Sequence, residues 1–313
     1  MSATHPIQAL KRALAGGAGA VLALALATLP AGAADGASAA ANGAAGPQSQ
    51  QIAYSTAAAD QTLEPLDVHP RTLLTIVDQL RHNHYLQDQK RLDDAMSSHI
   101  FDNYLDMLDG ARVYFSAADV AELEKYRYKL DDALVRGNLE PAFDIFNRYQ
   151  QRLTERLEFL IAEIEQGIDK LDFTVDEAVA IDREDAPWAS DESAMDDLWR
   201  KRLKAAALGM KLNGKPTDEI AELLTKRYQN RLKQARQTKS EDAFQLYVNA
   251  FAATYDPHTQ YFSPRTSENF NINMSLQLEG IGAVLRPEDK YTPGVGLVPA
   301  GPADKSGTLK PSD

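Results

Sequence analysis

Gly280-Ile281-Gly282-Ala283 is the arrangement in this chain with the most specific chemistry. Two glycines around one apolar residue let successive backbone N–H groups point outward together, which makes a nest for an anion such as the terminal carboxylate of a peptide. Ala283-Val284-Leu285 would then pair with that peptide as a strand. Taken alone, the same spacing also suits a plain tight turn. A second cluster, Asp256-Pro257-His258 with Thr259, Tyr261 and Ser263, holds the residue types of a Ser/His/Asp triad. Triad members normally come from separate elements, so closeness along the chain argues against that chemistry. The structural reading is preferred: Asp256 and Pro257 end a helix, and His258, Thr259 and Tyr261 fix a hinge by side-chain to backbone bonds.

Other reactive side chains read as structural. His82 and His84 are two residues apart on a helical pattern, so they point apart, and no third or fourth ligand accompanies them; solvated or partly packed histidines are expected. Asp191, Glu192, Asp196 and Asp197 gather at a helix start, where negative charge meets the helix dipole favourably. Lys226, Arg227, Arg231, Lys233 and Arg236 form a basic face suited to solvent. With no cysteine among 313 residues, disulfides, thiol catalysis and thiolate metal sites are excluded together, and no cofactor is expected. A net charge of −12 disfavours nucleic acid and anionic membrane as partners.

The elements that must carry these residues are mostly helices. Apolar residues recur at helical spacing from Leu73 to Tyr85 and from Leu92 to Leu108. Ser116 is placed to cap a third helix through Leu134 with Gly137 as its stop. A long fourth runs from about Glu140 to Glu165. Ser190 or Asp191 opens a fifth to Met210, Thr217 caps a sixth, and Ser240 caps a seventh ending near Tyr255. Seven helices with short polar links predict an all-α domain over residues 68–256. Beyond a hinge over 257–274, proline and glycine become frequent, and Ser275-Leu276-Gln277-Leu278 alternates like a strand. A second, β-containing domain is expected over 275–313.

The N-terminus has a separate logic. Lys11 and Arg12 precede an apolar run from Leu14 to Leu29, and Ala31-Gly32-Ala33 fits a signal peptidase site. The run, about 16 residues rich in small side chains, falls short of the ~20 that span a bilayer. Residues 1–33 therefore read as a cleaved secretory signal, which predicts a periplasmic protein with no stable membrane span. Residues 34–67 are mostly poor in bulky apolar side chains, and a disordered linker is expected there.

Several segments in order resemble the tail-specific, or carboxy-terminal processing, peptidases: Ile100-Phe101-Asp102-Asn103-Tyr104-Leu105-Asp106-Met107-Leu108-Asp109, Ala186-Pro187-Trp188, Ser240-Glu241-Asp242-Ala243-Phe244, and Asp256-Pro257-His258-Thr259 with Tyr261, Ser263 and Pro264. The glycine loop is similar to the carboxylate-binding loop of PDZ domains. Leu297-Val298-Pro299-Ala300-Gly301-Pro302-Ala303 and Ser306 to Asp313 resemble the strand, short helix and turn that follow it, although Ser312 stands where that pattern has glycine. The resemblance implies a mainly α protein: a helical N-terminal domain of about seven helices followed by the first half of an α+β PDZ domain. It further implies an exported serine endopeptidase that captures nonpolar C-terminal tails, with Leu278, Gly280, Ile281, Gly282 and Ala283 at the peptide's C-terminus. In that family a Ser/Lys dyad cuts the substrate, with lysine as general base. No serine of these 313 residues lies in that context, so the chain itself is expected to be inactive. A helical-repeat lipoprotein adaptor is an implied partner. The competing expectation is a stand-alone periplasmic helical binding or adaptor protein without catalysis.

Overall fold

A computed structural model describes residues 62–275, 283–285, 294–299 and 301–307. Proline or a capping polar side chain opens several of its helices. Helix α1 (His69–Asn83) carries Pro70 in its first turn, where a missing N–H costs nothing. Asp93 caps α2 (Asp94–Asp109), its carboxylate accepting the Met96 N–H at 3.1 Å. Ser116 and Asp119 cap α3 (Ala117–Leu123) reciprocally: Ser116 Oγ takes the Asp119 N–H, and Asp119 Oδ2 takes the Ser116 N–H.

The helix expected from Ser116 to Gly137 is two helices. A 3-10 turn follows α3 over Glu124–Tyr126, and α4 begins afresh at Leu130 and ends at Arg136. The break is made by another element: Ser97 Oγ of α2 donates to the Arg127 carbonyl at 2.7 Å and accepts the Leu130 N–H at 2.8 Å. Gly137 closes α4 at φ +67°, a left-handed conformation that a side chain would strain.

Helix α5 (Glu140–Glu165) is 26 residues, about 39 Å of continuous helix. Helices α6 (Glu192–Leu212), α7 (Thr217–Arg236) and α8 (Ser240–Ala252) follow. Asp191 caps α6 through the Ala194 N–H at 2.9 Å. Thr217 and Ser240, expected as caps, are instead first helical residues, one place inside the caps Pro216 and Lys239.

Two cores lie along α5. Its first half, with Phe143, Ile145 and Phe146, packs with α1, α2, α4 and α8, where Phe101, Tyr104, Tyr247 and Phe251 are fully buried. Its second half, with Leu153, Leu157 and Leu160, packs with Trp199 and Leu203 of α6 and Leu224 and Tyr228 of α7. Tyr149 touches both, so one rigid helix sets the spacing of the two clusters.

The chain divides between Tyr261 and Phe262 into two units. In the second, residues read from sequence as hinge and strand start are helical: α9 runs Pro264–Ser275. Ser263 opens it, its carbonyl accepting the Ser267 N–H at 2.8 Å, and Phe262 meets Phe270 with ring centroids 5.2 Å apart. The sparse apolar content of α9 hides this helix from periodicity. Strands β1 (Ala283–Leu285) and β2 (Gly294–Leu297) pair antiparallel, with Ala283 opposite Leu297, and α10 (Pro302–Ser306) ends at Gly307, φ +62°.

Candidate functional site

Two places hold the residues that sequence singled out. Of the first, Leu278, Gly280, Ile281 and Gly282 lie outside the described residues, and Ala283 is the first residue of β1. The backbone leaving the glycine pair therefore enters a strand.

The second place is the end of α8. Asp256 follows that helix, and its carboxylate is buried at 7% exposure. Oδ1 accepts the N–H groups of His258 at 2.7 Å and Thr259 at 2.9 Å. Oδ2 accepts the Thr259 hydroxyl at 2.7 Å and lies 2.7 Å from His84 Nε2. His84 is itself 4% exposed, immediately beyond α1, and its Nδ1 accepts the Leu86 N–H at 3.1 Å. That bond leaves the ring proton on Nε2, aimed at Asp256. The His84 ring also meets the Tyr255 edge at 5.0 Å. Burial alone would raise the Asp256 carboxyl, but the Thr259, His258 and His84 donors together hold it at about 2.

The neighbouring candidates do different work. His258 is exposed and reaches Asp256 through its backbone N–H, while Thr259 supplies both N–H and hydroxyl. Asn249 of α8 clasps Tyr261, accepting its N–H at 2.7 Å and donating to its carbonyl at 3.2 Å. Pro257 is exposed at the turn. His82, on α1, is exposed and bonds back to Asp78. So His82 and His84 have separate partners, and His84 is fully packed, deeper than its sequence suggested.

Further buried polar groups tie loops to helices. Asp109 accepts the N–H groups of Val113, Tyr114 and Phe115 at 2.8 to 2.9 Å, folding the loop back on the end of α2. Arg112, at φ +52°, donates to the Ala186 carbonyl at 2.7 Å with its guanidinium over the Trp188 ring. The Ala186-Pro187-Trp188 segment thereby docks on the loop after α2. Asp119, 2% exposed, accepts Arg148 and the Nε and Nη2 donors of Arg152 from α5 besides Ser116. Burial opposes its ionisation, yet these bonds carry its carboxyl far below the usual carboxylate range.

Comparison with known proteins identifies the architecture. A family model described as the tail-specific protease N-terminal domain matches residues 76–265, more than half of the chain and nearly all of the helical unit. The chain belongs to the tail-specific protease family. It is 39% identical over 235 residues to a tail-specific protease of Haemophilus influenzae, a match that covers 75% of this chain and 33% of that protein. The matched region thus spans about a third of the length of this curated relative. In family terms, the residues quoted from α2, the Ala186 segment, α8 and the Asp256 turn all fall within the N-terminal domain, where the structure shows them packing helices and loops together.

Neither His84 nor Asp119 was picked out by sequence as a binding partner of anything. The only local signal for Asp119 was Ser116 three residues ahead of it. His84 gave none, because its partner lies 172 residues away.

Proposed function

We propose that this chain is the substrate-capturing and scaffolding part of an exported serine endopeptidase. The observation that carries the reading is the family match over residues 76–265, joined to a Gly280-Ile281-Gly282 sequence immediately before strand β1. Backbone N–H groups of Gly280, Ile281, Gly282 and Ala283 bind the terminal carboxylate of a protein with a nonpolar tail, and Leu278 lines the pocket for its last side chain. The tail then extends β1 as an added strand.

Cleavage belongs to a Ser/Lys dyad carried by sequence other than these 313 residues, in keeping with a relative about three times the matched length. The lysine takes the proton of the serine hydroxyl as the nucleophile attacks. No cofactor is needed for that chemistry.

The basic Lys11-Arg12, the apolar run to Leu29 and Ala31-Gly32-Ala33 support export to the periplasm with removal of residues 1–33. No described helix is long and apolar enough to cross a membrane. The helical surface is proposed to dock a helical-repeat lipoprotein adaptor. Purified residues 34–313 incubated with a peptide ending in nonpolar residues should leave it intact by mass spectrometry; cleavage would overturn the division of labour.

A further inference from the structure

Three arginines at one edge of the second core have no carboxylate to answer them. Helices α6 and α7 are joined by four residues and pack together, which sets Arg202, ten residues before the end of α6, level with Arg227, ten residues after the start of α7. Arg231 lies one turn further along α7. No position three or four residues from any of the three is acidic, so neither helix supplies a partner from its own surface. Among the described residues none of the three makes an ion pair or a side-chain hydrogen bond, whereas Arg200 and Lys201 beside them both reach Asp197.

The rings beneath them complete the arrangement. Tyr114 and Trp199 stand with centroids 5.6 Å apart, and each carries a guanidinium: Arg231 at 5.7 Å from the Tyr114 centroid, Arg202 at 4.9 Å from that of Trp199. Stacking occupies the flat face of a guanidinium and leaves its N–H edge free to donate. Tyr114 is 6% exposed, and its hydroxyl is buried without a hydrogen-bond partner. A buried hydroxyl in that state calls for an acceptor, and an ion is one of the few that fit. Burial raises this phenol, and the Arg231 and Arg202 charges oppose the rise; on the neighbouring Tyr228 burial is likewise opposed by Arg227, Arg202 and Arg231. The carboxylate that bears on the Tyr114 hydroxyl is Asp109, whose oxygens already accept three backbone N–H groups. A basic face that served only solvation would not need a buried donor beneath it.

We propose that Arg202, Arg227 and Arg231, with the Tyr114 hydroxyl as the inner donor, bind a tetrahedral oxyanion, phosphate or sulfate. Three guanidiniums match a doubly charged ion better than a single carboxylate, and their free edges supply the several N–H bonds that its oxygens accept. The buried hydroxyl restricts the ligand to a small free ion, which enters beside the exposed Arg231 side chain. A chain of net charge −12 disfavours the surface of an anionic membrane as the source. The bound ion ties the loop after α2 to α6 and α7.

Intrinsic fluorescence of the full chain, in which Trp199 is one of two tryptophans, tests this by titration with sodium phosphate and, separately, sodium sulfate at neutral pH. Sodium chloride holds the ionic strength constant and serves as the reference. Saturation by phosphate, by sulfate or by both supports the site and names its ion. Arg227→Gln combined with Arg231→Gln, both at exposed positions, should weaken binding at least about 10-fold. Tyr114→Phe removes a hydroxyl that has no protein partner, so the fold is kept while binding weakens about 3-fold or more. Lys233→Gln, on the opposite side of α7, should leave the affinity unchanged. A response no greater than that to chloride would overturn the proposal, as would an affinity that either the arginine pair or Tyr114→Phe leaves unchanged. Lys233→Gln weakening binding as much as the arginine pair would reveal diffuse attraction and also overturn it.

Discussion

His84 Nε2 lies 2.7 Å from Asp256 Oδ2, and both side chains are withdrawn from solvent although 172 residues separate them. The bond fastens the end of α1 to the end of α8, the first and last helices of the matched domain. Asp256 simultaneously shapes the turn through His258 and Thr259, so one carboxylate couples the closure of the helical unit to the course of the chain leaving it.

Asp256→Asn removes the charge that four donors share. The variant should lose about 3 kcal/mol of stability in urea denaturation, because buried donors lose a charged acceptor. The pH dependence has a definite sign. The folded carboxyl sits at about 2, below its ordinary value near 3.9 in an unfolded chain. Its stabilisation is therefore fully present above that ordinary value and is lost as pH falls from about 4 towards 2. Asp256→Asn should flatten this part of the stability profile.

The two histidines at the end of α1 should separate cleanly. His84→Ala opens a buried site and removes one of the four donors to the Asp256 carboxylate, with an expected cost of about 2 to 4 kcal/mol. His82→Ala, at an exposed position, should change stability by less than about 0.5 kcal/mol. Equal effects by thermal or urea unfolding would contradict the packing described.

Gly137 combines a left-handed backbone with close neighbours in α1. A Cβ there would lie 3.2 Å from Leu74 Cγ and 3.3 Å from the Pro70 carbonyl oxygen, at φ +67°. Gly137→Ala should cost about 1 to 2 kcal/mol from the left-handed backbone and the crowding against α1. Differential scanning calorimetry should register a fall of about 3 to 6 °C.

Trp199 joins α6 to the loop after α2, its Nε1–H donating to the Val113 carbonyl at 2.6 Å. Trp199→Phe keeps most of the ring but leaves that buried carbonyl without this donor, an expected loss of about 1 to 2 kcal/mol in chemical denaturation.

Much of this was legible in the sequence, and what was not has a common cause. The long α5 is announced by apolar residues at helical spacing from Phe143 to Ile164, and Gly137 and Gly167 mark its limits because glycine's freedom is a local property. The division between α3 and α4 is not local: Val120, Leu123, Leu130 and Leu134 suit a single helix, and only Ser97 from α2 interrupts it. His84 is similar, since nothing beside it in the chain reveals Asp256. Helix α9 was hidden by a different effect, with Pro264 and a polar sequence reading as a hinge when the proline in fact begins a helix. The proposed carboxylate nest was legible for the opposite reason, because two glycines around an apolar residue are a purely local backbone signal.

Capture of a free C-terminus is the central functional claim, and a binding titration tests it most directly. A fluorescent peptide ending in nonpolar residues should be titrated with the purified protein twice, once as the free acid and once as the C-terminal amide. The free acid should bind at least about 10-fold more tightly, the worth of charge-assisted bonds to a backbone nest. Equal affinity for acid and amide would contradict it.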